Sequence, residues 1–189
     1  MIRLFVALEL PKTVRTRLSF LCAGVPGARW VAPENMHMTL RFIGDVEEPV
    51  CDEVVDALLD VRAHAFDLVL RDFGIFEQGR IVHTLWLGVE RTEALMNMQA
   101  KIERALTGAG LEHERRRYTP HVTLARLKVA PEHWVAEFIA ANSPFRMDPI
   151  AVGRFALFSS HLSRNGASYA VEEVFPLEGA FAEAWGEGE

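Results

Sequence analysis

Cysteine is almost absent: the 189 residues contain two, Cys22 and Cys51, with no Cys-x-x-Cys spacing. That removes a disulfide framework and a thiolate zinc site. Both lie among apolar residues at helical spacing, so reduced, buried thiols are expected. Paired metal-ligand spacing is missing too. None of His64, His83, His113, His133 and His161 has a second histidine and a carboxylate where a chelate would need them. No metal and no other cofactor is expected. No apolar run is long enough to cross a bilayer. The apolar start, Met1 to Leu10, is interrupted by Glu9 and followed by Pro11, and it reads as a buried strand rather than a signal peptide. A cytoplasmic protein without a membrane partner is the default expectation. Positive charge is also scarce, with 20 Lys and Arg against 26 Asp and Glu and a formal net charge of −6. This argues against a protein that grips long nucleic acid by neutralising phosphates, but leaves open one that handles a strand end.

What is present is a short motif, twice. His37-Met38-Thr39-Leu40 and His121-Val122-Thr123-Leu124 each sit in a segment that reads as a strand. Side chains alternate faces along a strand, so each His and its Thr share one face, roughly 6.6 Å apart, while Met38, Leu40, Val122 and Leu124 take the apolar side. Two such strands facing across a cleft would gather two imidazoles and two hydroxyls around one anion-sized space. Imidazoles titrate near neutrality and can serve as acid and base there.

Half of the residues are apolar, enough for a sizeable core in one domain, 1–189, of two lobes. Strands are expected over 3–10, 36–43, 66–73, 81–89, 121–127, 150–159 and 168–175, with a short extended piece at 29–31. Helices are expected from Pro11 to about Ala23, from Val46 to Arg62, from an N-cap at Thr92 to Thr107, and from Pro131 to Ala141. Gly74 to Gly79 reads as a loop, 163–166 as a hairpin turn and the acidic end, 178–189, as frayed. The halves repeat loosely as strand, helix, motif strand, helix. The expected fold is α+β: two pseudo-symmetric lobes, each an antiparallel sheet with helices on its outer face, and an active-site cleft between them.

With both motifs in view, the chain resembles the 2H phosphoesterase superfamily, and within it the RNA 2′,3′-cyclic phosphodiesterases, also called 2′-5′ RNA ligases. The resemblance runs through Arg3-Leu4-Phe5-Val6-Ala7-Leu8, Arg29-Trp30-Val31, Pro33-Glu34-Asn35 leading into His37-Met38-Thr39-Leu40-Arg41-Phe42-Ile43-Gly44, Leu85-Trp86-Leu87-Gly88-Val89, Pro120-His121-Val122-Thr123-Leu124-Ala125-Arg126 and Phe175-Pro176-Leu177. It implies hydrolysis of RNA 2′,3′-cyclic phosphate ends to 2′-phosphomonoesters, without metal, His37 giving a proton and His121 taking one. The residues alone leave the order of the two histidines open. Thr39 and Thr123 would hold the non-bridging oxygens. Arg126 matches an arginine near the phosphate, although plain alternation puts it on the wrong face and demands a bulge or a reaching side chain. Arg41 has the right parity with His37 and Thr39 to add positive charge, or else is a solvated strand-end arginine. Tyr118, Phe42 and Trp30 are candidates to stack on a base, with core packing the better reading for the last two. Arg115-Arg116-Arg117 reads first as a solvated loop, second as a track for an RNA backbone. RNA ends or small cyclic nucleotides are the expected substrates of a monomer without an obligate protein partner. The alternatives are 2′-5′ ligation, hydrolysis of a small cyclic nucleotide phosphate, and a non-catalytic nucleotide-binding module.

Overall fold

The computed structural model describes residues 1–79, 81–128, 131–163 and 166–180. The apolar start forms β1 (Ile2–Glu9), which is buried on both faces. Leu4, Val6 and Leu8 point into the main core, and Phe5 and Ala7 point the other way, into a small cluster with Ala156 and Phe158. A strand with two buried faces needs no polar alternation, which is why this segment reads as a continuous apolar run.

The chain continues through α1 (Lys12–Ser19), β2 (Ala28–Trp30), a 3-10 turn (Pro33–Asn35), β3 (His37–Val46), α2 (Glu48–Leu59), β4 (Phe66–Leu68), β5 (Leu70–Gln78), β6 (Ile81–Val89) and α3 (Glu93–Gly108). It ends with β7 (His121–Leu127), α4 (Glu132–Asn142), β8 (Ile150–Val152), β9 (Arg154–Ser163) and β10 (Gly166–Pro176). Thr92 caps α3 as expected, its hydroxyl accepting from the Leu95 amide at 3.3 Å. Cys22 and Cys51 are free, half-buried thiols. The turn residues 164–165 and the tail 181–189 lie outside the described residues.

Several expectations need correction, and two concern element boundaries. First, α1 stops at Ser19, short of Ala23. Second, the expected loop from Gly74 is strand: β5 runs through it, with Gly74 paired to Trp86. A Cβ on Gly74 would lie 2.2 Å from the Trp86 indole, so this glycine marks a place where a ring crosses the backbone rather than a turn.

Seven strands hydrogen-bond in the order β10-β9-β1-β3-β7-β6-β5, with β2 added along β7 and β4-β8 a separate pair. The halves show the expected repeat. β1, α1 and β3 form a strand–helix–strand unit with antiparallel pairing, and β6, α3 and β7 form another. The two lobes share one hydrogen-bonded path because β3 and β7 pair at a single position, Met38 with Val122. β2 straps them together: it comes from the first half of the chain but pairs with β7, Ala28 opposite Leu127 and Trp30 opposite Ala125. Helix residues Val14, Leu18, Val54, Leu58, Leu95, Met98, Ile102 and Val135 join Met38, Leu40, Val122 and Leu124 in one core. The helices thus cover the face opposite the motif histidines.

Each motif strand carries a bulge one residue past its threonine. Along β1 the register passes from Ala7–Thr39 to Val6–Arg41, skipping Leu40. Along β6 it passes from Trp86–Thr123 to Leu85–Ala125, skipping Leu124. The bulge puts two successive residues on the buried side, Leu40 with Arg41 and Leu124 with Ala125. The freed carbonyl of Leu124 accepts from the Val31 amide at 2.8 Å. Parity beyond each bulge is therefore reversed.

Reversed parity corrects the expectation for Arg41. It is 8% exposed and turned into the core side, with its Nε 2.5 Å from Glu103 Oε2 on α3. Its other nitrogens donate to the carbonyls of Phe42 and Glu112. Glu103 Oε1 accepts from the Glu114 amide at 2.9 Å and lies 2.8 Å from His113 Nδ1. Removing one partner of a buried pair leaves the other charge uncompensated. Arg41→Met is accordingly expected to lower stability by about 3–5 kcal/mol. Denaturant unfolding checks this, and a variant as stable as the parent would contradict the role.

Candidate active site

His37 and Thr39 flank Met38, and His121 and Thr123 flank Val122. Antiparallel pairing of Met38 with Val122 thus sets His37 beside Thr123 and Thr39 beside His121. Met38 and Val122 are wholly buried on the helix side, while the four polar side chains stay partly exposed on the other. The site is a four-residue patch centred on the one pair that joins the lobes.

The two imidazoles are held alike. His37 Nδ1 lies 2.8 Å from the Asn35 carbonyl, and His121 Nδ1 lies 2.7 Å from the Thr119 carbonyl. A carbonyl only accepts, so both Nδ1 atoms carry the hydrogen. Nε2 is then the working nitrogen of each ring: an acceptor when the ring is neutral, a donor when it is protonated. The carbonyl two residues upstream fixes tautomer and ring direction together.

Aromatic rings from neighbouring strands wall each histidine. On the first lobe Phe5 lies 4.9 Å from His37 between ring centres and Tyr169 meets it edge-on at 5.1 Å. On the second, Phe76 meets His121 edge-on at 4.8 Å and Trp86 lies 5.8 Å away. These walls have an electrostatic cost. Burial pushes His37 down to about 4, against the pull of the Asn35 carbonyl, and the positive charges of His121 and Arg126 push the same way. Burial also lowers His121, opposed by the Thr119 carbonyl and aided by Arg126. At neutral pH both rings are uncharged until an anion arrives to favour the imidazolium.

Arg126 reaches the site by the bulge. Skipping Leu124 restores it to the face of His121 and Thr123, and its Nη1 donates to Thr84 Oγ1 at 2.9 Å. Thr84, itself 2% exposed, was not foreseen: a lone Thr on a strand carries no signal without knowledge of what lies across from it. The bulge at Leu40 likewise turns Phe42 outward, 56% exposed, against the expectation that it packs in the core. Trp30 does pack, 5.6 Å from Phe138. Tyr118 is packed against the core and its hydroxyl donates to the Thr39 carbonyl at 3.3 Å, so it holds β3 from behind. Burial raises its phenol. Arg115, Arg116 and Arg117 are all exposed in the loop before β7. Phe5, Phe76, Phe158, Trp86 and Tyr169 were missed as site walls, since each looks like an ordinary core aromatic in sequence.

Among the described residues no group of three or more His, Cys, Asp or Glu is placed to hold a metal ion. No described helix is long and apolar enough to cross a membrane.

Residues 15–162 match the 2′-5′ RNA ligase superfamily. The chain is 32% identical over 183 residues to the RNA 2′,3′-cyclic phosphodiesterase of Thermotoga maritima, covering 94% of this chain and 96% of that protein. It is 34% identical to the RNA 2′,3′-cyclic phosphodiesterase of Aeropyrum pernix, covering 84% of this chain and 90% of that protein. Among solved structures, TT0787 of Thermus thermophilus superposes with a TM-score of 0.75 at 26% identity, over 95% of this chain and all (100%) of the other. E. coli LigT in complex with 3′-AMP also superposes with a TM-score of 0.75, over 94% of this chain and 98% of the other, and at 23% identity it shows a shared fold. Paired motifs on a two-lobed α+β frame, matched over most of the chain's length, make this protein a member of the 2′-5′ RNA ligase superfamily, the 2H phosphoesterases.

Proposed function

We propose that this protein hydrolyses RNA 2′,3′-cyclic phosphodiester ends to 2′-phosphomonoesters by acid–base chemistry of His37 and His121. The observation that carries the reading is the matched pair of imidazoles on adjoining strands, each with Nδ1 on a carbonyl and Nε2 left for the cleft. The relatives that bear the name RNA 2′,3′-cyclic phosphodiesterase support the substrate class.

In the reaction, His121 Nε2 takes a proton from water as its oxygen forms a bond to phosphorus. The bond from phosphorus to the ribose 3′ oxygen breaks, and His37 gives that oxygen a proton. The product leaves with the two rings in exchanged protonation states, and solvent restores them. Thr39 and Thr123 donate to the non-bridging oxygens, and Arg126, held by Thr84, supplies positive charge to them. Tyr118 positions the Thr39 strand rather than touching substrate. Arg41, tied to Glu103, has no part in it. No metal or other cofactor takes part, and 2′-5′ ligation is the same ring opening with a 5′-hydroxyl in place of water as the attacking group. Both lobes of the site come from one chain, which supports a single 1–189 domain acting as a monomer, without an obligate protein partner. With no membrane-spanning helix among the described residues, the proposed setting is the cytoplasm.

His37→Ala and His121→Ala are each expected to lower kcat on an oligonucleotide 2′,3′-cyclic phosphate by roughly 100-fold or more, since a positioned acid or base contributes about 10²–10⁴. On bis(4-nitrophenyl) phosphate, whose leaving group needs no proton, the His37 variant should lose far less than the His121 variant. Equal losses would remove the assigned order of acid and base. Turnover of the cyclic phosphate should survive excess EDTA, and loss of activity restored by added divalent metal would contradict the mechanism.

The lowered imidazoles also set the pH dependence. Hydrolysis needs one ring protonated and one not, and in the free protein that population grows as pH falls below 6.5 and declines below about 4. The kcat/KM profile should peak on the acid side of 6.5. The kcat profile should peak higher, because bound phosphate anion favours the imidazolium. A kcat/KM maximum above pH 7.5 would be inconsistent with this environment. His37 is depressed in the fold, so the unfolded chain takes up its proton first as pH falls. Stability present above 6.5 is therefore lost toward 4.

A further inference from the structure

A recess of about 150 Å³ opens directly beside His37, lined by Glu9, Arg15, Glu34, Phe158, Tyr169 and Val171. A cavity of roughly this volume holds one benzene-sized ring. Its walls are of two kinds. Phe158, Tyr169 and Val171 supply apolar and aromatic surface, with Tyr169 already edge-on to His37. Glu9, Glu34 and Arg15 supply polar atoms. Glu9 is engaged, its Oε2 lying 2.9 Å from Arg154. Glu34 has no ion pair among the described residues. Arg15 donates from Nη1 to the Glu34 carbonyl at 3.4 Å, which keeps the two residues together. Its Nε is buried and has no hydrogen-bond partner among the described residues.

A carboxylate in the lining disfavours a phosphate there, and a flat apolar wall favours a planar ring. We propose that this recess is the subsite for the terminal nucleobase of the substrate, and that Glu34 and Arg15 read its edge as amino rather than keto. An acceptor beside a donor complements cytosine, which offers an exocyclic amino hydrogen next to an unprotonated ring nitrogen, and adenine, which offers the same pair. Uracil and guanine present a carbonyl beside a ring N–H and set like against like. The proposal rests on the cyclic-phosphodiesterase reading and adds to it. It puts the terminal nucleoside on the His37 side of the phosphorus, where the ribose oxygen that leaves must find its proton.

The test compares cytidine with uridine 2′,3′-cyclic phosphate, two pyrimidines that differ only at that edge, on the parent protein and on Glu34→Gln and Glu34→Lys. Glu34 is exposed on a 3-10 turn, so both variants should fold, which thermal melting verifies. The parent should favour cytidine by about tenfold in kcat/KM, the discrimination that one well-placed base-edge contact provides. Glu34→Gln, whose amide can turn either way, should bring the ratio near unity. Glu34→Lys, a donor in place of an acceptor, should reverse it. Equal use of the two substrates by the parent, or a preference that neither variant changes, overturns the subsite. Binding of cytidine and uridine 2′-monophosphates by calorimetry separates this failure from the other. A cytidine preference in binding, lost in Glu34→Gln, with no turnover of any cyclic phosphate, upholds the subsite and overturns the hydrolase reading. Turnover with no base preference in either assay does the opposite.

Discussion

The molecule depends on one backbone pairing. Met38 and Val122 are the sole registered partners between β3 and β7, and through them two lobes become one sheet. Their side chains are wholly buried on the helix side, which leaves the residues before and after them on the opposite face. The pair that fastens the lobes therefore also gathers the two imidazoles and two hydroxyls. A shift of one residue in this register would send the histidines into the core, so the register is held by the burial energy of the whole helix side. The β2 strap and the Val31 amide on the Leu124 carbonyl continue this seam along the same edge of β7, since β6 occupies the other.

Two bulges complete the arrangement, and their consequences differ because the sequences differ beyond them. On β7 the bulge restores Arg126 to the histidine face, where its charge depresses both imidazoles and awaits an anion. On β3 the equivalent position is Phe42, exposed, and the residue before it, Arg41, is spent on the core side with Glu103. The site is thus symmetric in its histidines and threonines and asymmetric in charge. The recess beside His37 is a second asymmetry, with no counterpart described beside His121.

Aromatic walls and backbone carbonyls act against each other on the histidines. Burial against Phe5 and Tyr169, or Phe76 and Trp86, disfavours the imidazolium, and the carbonyls of Asn35 and Thr119 favour it. Burial wins at both rings. In the proposed mechanism the two rings stay neutral until a phosphate supplies negative charge, so that binding and activation become one event.

The sequence by itself determined the elements and the candidates. Period-two and helical spacing located most strands and helices, the Thr92 cap included, and two His-x-Thr-Leu strands named the four side chains around the seam, because alternation along a strand is local geometry. It could not reveal which strands are neighbours, since pairing of β3 with β7 is a contact between residues more than eighty positions apart. Nor could it reveal the bulges, which exist only as a mismatch between two strands. Parity counted along one strand thus assigned Arg41 to the cleft and held Arg126 off it, and tertiary structure reversed both. Gly74 looked like a turn because its reason for being glycine, the indole of Trp86 lying across it, belongs to a different strand. Tertiary structure alone also decided tautomer, burial and the recess beside His37, since each arises from groups that meet only after the sheet has closed.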